Sequence, residues 1–135
     1  MKKLLIAGLG LAVFAPVAAE DVTGVTRMIC ASGQAQICLE TGECYAAMPF
    51  ELGVPDFVII DTKKGTISTT KASGLNRFTE FTKSERKEGL IYLQGVEGGR
   101  AFSFVIHEAT GRMTAAIARD GLSVTVFGAC TAADL

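Results

Sequence analysis

From residue 56 onward, short apolar segments alternate with turn signals. The segments are 56–61 (DFVIID), 66–70 (TISTT), 76–83 (NRFTEFTK), 90–95 (LIYLQG), 101–108 (AFSFVIHE), 112–119 (RMTAAIAR) and 122–129 (LSVTVFGA). Residues 25–31 (VTRMICA) add an eighth. Between them lie 62–65, Ser73-Gly74, Glu88-Gly89, 97–99, Thr110-Gly111 and Asp120-Gly121, where glycine supplies the positive φ of tight hairpins. Period-two patterning predicts strands. Phe102, Phe104 and Ile106 share one face, with Ser103 and His107 on the other. Met113, Ala115 and Ile117 alternate with Thr114, Ala116 and Ala118, and Leu122, Val124 and Val126 with Ser123, Thr125 and Phe127. Short strands at ~8–12 residue spacing predict an all-β fold. Short connections make it an antiparallel meander, expected to form a small eight-stranded barrel or a barrel-like sandwich. Closure would set the first strand beside the last.

Residues 32–55 break the pattern. They hold two cysteines, three glycines and two prolines, together with Tyr45, Met48, Phe50 and Leu52. A long loop without structure is uncommon in a compact domain unless it is functional or stapled. The expectation is a stapled loop, with a short strand or helical turn at 36–39 or 45–48. Its large apolar residues are expected to fold back and plug one barrel mouth, with Phe50 as the anchor. The alternative is a recognition surface held proud and rigid.

The four cysteines are Cys30, Cys38, Cys44 and Cys130. An even count in an exported chain predicts two disulfides. No CxxC pair exists and His107 is the sole histidine, which argues against zinc and against a redox pair. Three pairings are possible. Thr41-Gly42 can turn the chain so that Cys38 meets Cys44, leaving Cys30 and Cys130 to join the ends of the domain. One tension stays open. With eight strands the first and last run antiparallel, so Cys30 and Cys130, each at the end of its segment, would lie at opposite mouths. A ninth strand within 32–55, or fraying of the last strand, would relieve this.

Residues 1–19 have the anatomy of a secretory signal peptide: Lys2 and Lys3, an uncharged run from Leu4 to Val17, and small residues at Val17 and Ala19. Cleavage after Ala19 would leave residues 20–135 as one β domain, periplasmic or secreted. No second stretch approaches the ~20 apolar residues of a membrane span. The chain of 135 residues is 49% hydrophobic with a net charge of −1, and loss of the two lysines takes the charge to about −3. That composition excludes disorder and a basic nucleic-acid-binding surface.

Individual residues give little chemistry. His107 is the one possible imidazole base, but no triad signature accompanies it, and a solvated His beside Glu108 is expected. Glu85 and Glu88 belong to a solvated charged turn at 84–88. The stretch 95–100 lacks the Lys-Ser/Thr pair of a phosphate loop and reads as a wide hairpin turn. Alternate turns of a meander share one end, so the turns near 62–65, 84–89 and 109–112 are expected together.

The three clustered cysteines, Phe57-Val-Ile-Ile-Asp61 with a following Gly65, and the terminal Gly128-Ala-Cys130 resemble a group of small exported alphaproteobacterial cysteine-stapled β proteins. That resemblance implies no activity. A looser one is to barrel-shaped periplasmic inhibitors of c-type lysozyme. Those carry a Ser-Gly loop that enters the enzyme cleft, and here Lys71-Ala-Ser-Gly-Leu75 offers Ser73-Gly74, although the rest of that motif is missing. The leading functional expectation is a non-enzymatic binding protein of the periplasm, needing no cofactor, whose partner is an envelope protein or a small apolar ligand. The alternative is an inhibitor of an exogenous hydrolase. An enzyme ranks third. The candidate binding residues are Tyr45, Met48, Phe50, Leu52, Ser73 and Gly74. An internal cavity would mark a carrier and a protruding rigid loop an inhibitor; convergent polar groups around His107 would mark an enzyme.

Overall fold

A computed structural model describes Gly10 and residues 20–133; the rest of the expected leader lies outside the described residues. Ten strands form one antiparallel sheet that curls into a barrel-like shell. They are β1 (Arg27–Leu39), β2 (Cys44–Ala47), β3 (Phe57–Asp61), β4 (Thr66–Thr69), β5 (Phe78–Glu80), β6 (Lys83–Lys87), β7 (Leu90–Glu97), β8 (Arg100–His107), β9 (Arg112–Arg119) and β10 (Leu122–Ala132). The order is β5-β4-β3-β1-β10-β9-β8-β7-β6, with β2 also on β1.

The ten strands amount to eight staves. β2 pairs with Ala35–Cys38 of β1, and β3 pairs with Arg27–Ala31 on the same edge, so the two follow one another in one direction. β5 and β6 do likewise. β5 pairs with β4 and β6 with β7, and alternating antiparallel ladders give both the same sense. The handover takes one residue step. The Phe81 N–H donates to the Gly65 carbonyl (3.0 Å), and the Thr82 N–H to the Gln94 carbonyl (2.8 Å). One bent stave thus spans the two ends of the sheet.

The first strand lies beside the last, and their pairing dissolves the cysteine tension. β1 does not end near Ala31 but runs on to Leu39, so Cys30 lies near its start, while Cys130 lies near the end of β10. In an antiparallel pair those positions face each other, and Cys30 is in register with Cys130. Disulfides join Cys30 to Cys130 and Cys38 to Cys44. The second spans a cross-strand pair of the β1–β2 hairpin. The expected ninth strand is present as β2, but it is collinear with β3 and leaves the stave count even.

A bulge between Ser32 and Gln34 lets β1 continue past Gly33 with Ala35 and Ile37 facing inward. Gly128 makes room for close approach there, since a Cβ on it would fall 2.0 Å from the Ala31 carbonyl oxygen. Two further expectations are corrected. Residues 84–88 are not a turn: β6 runs through Lys87, because Ser84 and Arg86 pair with Leu93 and Ile91 of the adjacent strand. Residues 95–100 make no wide turn either, since Glu97 pairs directly with Arg100 across the two-residue Gly98-Gly99 step.

The inward rows build a core in two parts. One includes Met28, Ile60, Ile91, Leu93 and Ile106 and is capped by Val22, all fully buried. The other comprises Ala35, Ile37, Ala115, Val124 and Val126. Residues 20–26 close the end beside the first cluster. The Val22 N–H donates to the Glu108 carbonyl (2.7 Å), and the Thr62 N–H to that of Thr26 (2.8 Å). Arg86 pairs with Glu108 (3.0 Å) and also donates to the Val25 carbonyl. Asp21 accepts from the Thr23 N–H (2.8 Å), and the Thr23 hydrogen bonds hold its carboxyl below the usual carboxylate range. The turns at 62–65, 88–89 and 108–111 gather at this end, the grouping expected from the meander.

Cys30–Cys130 closes the long loop, so Cys130→Ala should cost about 2–5 kcal/mol. The shift of the denaturant midpoint in the otherwise oxidised protein measures it. A shift below about 1 kcal/mol would show that the β1–β10 ladder holds without its covalent link.

Candidate functional site

The opposite end is open. Between the two core clusters lies a cavity of about 100 Å³ that reaches the surface there. Its wall follows from strand alternation. Phe102 and Phe104 point inward from β8, Met113, Ala115 and Ile117 from β9, and Val126 from β10. Ile67 of β4 and Val58 of β3 face them. The two phenylalanine rings meet edge to face at 5.8 Å, a favoured aromatic geometry. Phe102 fits because its cross-strand partner is Gly95: a Cβ there would stand 2.5 Å from the ring. The cavity therefore owes its shape to a missing side chain on β7.

Polar groups sit at the rim. Arg77 is positioned by the β4–β5 connection, where its N–H donates to Thr69 Oγ1 (2.9 Å) and its Nη1 to the Gly53 carbonyl (2.9 Å). The second bond ties that connection to the end of the Pro49–Leu52 3-10 turn. Arg100 and Glu97 flank the Gly98-Gly99 turn and also line the cavity. They are register partners but form no ion pair; Arg86–Glu108, at the closed end, is the one ion pair among the described residues. Arg100 Nε is buried with no hydrogen-bond partner.

The stapled segment behaves differently from the expected plug. Pro49 is buried, and Leu52 and Val54 pack on the second core cluster, so the segment does fold onto the open end. Phe50 is not its anchor. It is 63% exposed, with Met48 and Tyr45 also outside. The 3-10 turn explains this, because Pro49 and Leu52 share its inner side while Phe50 lies between them. The Met48 N–H donates to Glu51 Oε2 (3.0 Å), fixing the entry to the turn. Ser73 and Gly74 are exposed in the β4–β5 connection, where the Ser73 hydroxyl donates to the Thr70 carbonyl (2.7 Å). Of the residues singled out in the sequence, Leu52 packs beside the cavity; Tyr45, Met48, Phe50, Ser73 and Gly74 do not line it.

His107 sits at the closed end, with Nδ1 3.1 Å from Thr110 Oγ1 in the β8–β9 turn. Asp61 is engaged in its own turn, accepting from the N–H groups of Lys63 and Lys64. Among the described residues no group of three His, Cys, Asp or Glu side chains could hold a metal ion, and no helix is long and apolar enough to cross a membrane. Compared with family models, curated proteins and solved structures, the chain finds no match.

Sequence reasoning missed Arg77, Arg100 and Phe102 as site residues. The alternation of β8 carried a signal for Phe102, but which end of the shell stays open depends on the N-terminal segment filling the other. The exposure difference within the 3-10 turn yields a direct test. Phe50→Ala should change stability by less than about 0.5 kcal/mol, as at an ordinary surface site. Leu52→Ala should cost about 2 kcal/mol through lost core contacts. Paired chemical denaturation curves separate the two, and equal losses would place Phe50 inside.

Proposed function

We propose that the protein is an exported, non-enzymatic binding protein that takes a small apolar ligand into the open end of its barrel. The observation that carries this reading is the cavity between the two core clusters, walled by Phe102, Phe104, Met113 and Ile117 and reached from the surface. A well-packed interior leaves few voids larger than a water molecule. Apolar cavities of order 150 Å³ stay dry and bind molecules the size of benzene. Small-ligand sites are concave and mostly apolar, with a few placed polar groups, and Arg77, Arg100 and Glu97 supply such groups here. Two disulfides support export, since such bonds persist in oxidising compartments.

A second reading has its own support. Tyr45, Met48 and Phe50 are exposed on a segment braced by Cys38–Cys44, which suits a protein partner such as an exogenous hydrolase. Under that reading, Phe50→Ala leaves stability intact and abolishes retention of the partner in a pull-down.

The carrier reading is tested with benzene, followed by methyl NMR. Saturable shifts confined to Met113, Ile117, Val126 and Ile67 are expected. Ala115→Leu, which adds volume to the cavity wall, should abolish them. Absent or scattered shifts in the unaltered protein would refute an accessible internal site.

A further inference from the structure

We propose that the ligand is amphipathic, with a short apolar body inside the barrel and an anionic head, a carboxylate, held at the rim by Arg100 with Arg77. This rests on the cavity being a ligand site and adds the chemistry of what occupies it. Three observations carry it. First, Arg100 Nε is buried without an acceptor. A guanidinium cannot shed its charge, and a buried donor on a charged group is costly unless it is paired. Second, its neighbours do not pair it. Glu97, its register partner on β7, forms no ion pair with it. On β9 its register partner is Arg119, so no carboxylate stands opposite it on that strand either. Third, Arg77 reaches the same cavity from the β4–β5 connection. Its Nη1 is spent on the Gly53 carbonyl, and no carboxylate pairs with it.

The chemistry converges. Apolar side chains fill the wall, and two guanidiniums without carboxylate partners line the rim against the single carboxylate of Glu97. A carboxylate head would accept from the Arg100 fork. Its apolar body would lie against Phe102 and Phe104. The small cavity limits that body to about six carbons, close to the benzene-sized occupants of comparable cavities.

Hexanoate, 1-hexanol and hexylamine are titrated separately into the oxidised protein, with methyl NMR as the readout. Hexanoate is expected to shift the cavity methyls and to bind at least about tenfold more tightly than hexanol, the increment of a charge-assisted hydrogen bond. Arg100→Met should erase that preference; the comparison of ligands on the unaltered protein stands even if the variant folds poorly. Equal affinity for hexanoate and hexanol would overturn the anionic head and leave the cavity reading intact. Tightest binding of hexylamine would overturn it in favour of recognition by Glu97. Benzene binding with no response to any of the three would also overturn it, whereas silence toward benzene as well would remove both readings.

Discussion

The pairing of β1 with β10 is the constraint on which everything else in this fold depends. Eleven register pairs run from Met28↔Ala132 to Leu39↔Leu122, and Cys30–Cys130 fixes one of them covalently. A one-residue slip would turn every inward side chain to the outer face, and a disulfide between facing positions forbids the slip. The bulge at Ser32/Gln34 is the one adjustment in this ladder. It sits between the Cys30 half of β1, which supports β3, and the Ala35–Cys38 half, which supports β2.

From that seam the staves can be counted in both directions, and the count sets the two ends of the molecule. With eight staves, β1 and β10 are antiparallel, so the chain enters and leaves at the same end. Residues 20–26 are there to fill it, and burying Val22 contributes about 1.5–3 kcal/mol. Among the described residues, neither terminal segment reaches the other end. It is covered by the interrupted stave β2–β3, whose intervening segment brings Pro49, Leu52 and Val54 across part of the mouth. The rest stays open. The handover from β4 to β7 within residues 78–87 deepens the opening, because β6 pairs β7 only from Leu90 to Gln94. Residues 95–97 have no partner on that edge, and the cavity rim includes Glu97 for this reason.

The strand pattern from residue 56 onward was legible because hairpin glycines and period-two alternation agreed there. The segments starting at 57, 66, 90, 100, 112 and 122 all pair with a sequence neighbour. Both disulfide pairings were legible from spacing, yet their geometry was not, since it depends on β1 continuing to Leu39. The signal for that was present: Ala35, Ile37 and Leu39 alternate with Gln34, Gln36 and Cys38. Ser32-Gly33 masked it, because a glycine inside a strand marks a bulge as readily as a stop. The charged run Lys83–Lys87 was hidden differently. Its backbone is paired, but it holds no apolar residue, so no apolar face betrays the strand. The rim of the cavity could not be read from local pattern at all. Arg77, Glu97 and Arg100 come from two hairpin ends that meet only when the shell closes.

The two ends use arginine in opposite ways. At the closed end Arg86 has one nitrogen on Glu108 and another on the Val25 carbonyl, which ties β6 to the N-terminal segment over the core. At the open end Arg100 occupies the corresponding rim but has neither a carboxylate nor a carbonyl for its buried Nε. A fold that satisfies one guanidinium with two acceptors has the means to satisfy another, since Glu97 is its neighbour in register. Packing alone gives no reason to bury a donor and leave it unpaired. The proposed ligand would bring the acceptor from outside the chain, and the apolar wall beneath Arg100 would set what kind of molecule can do so.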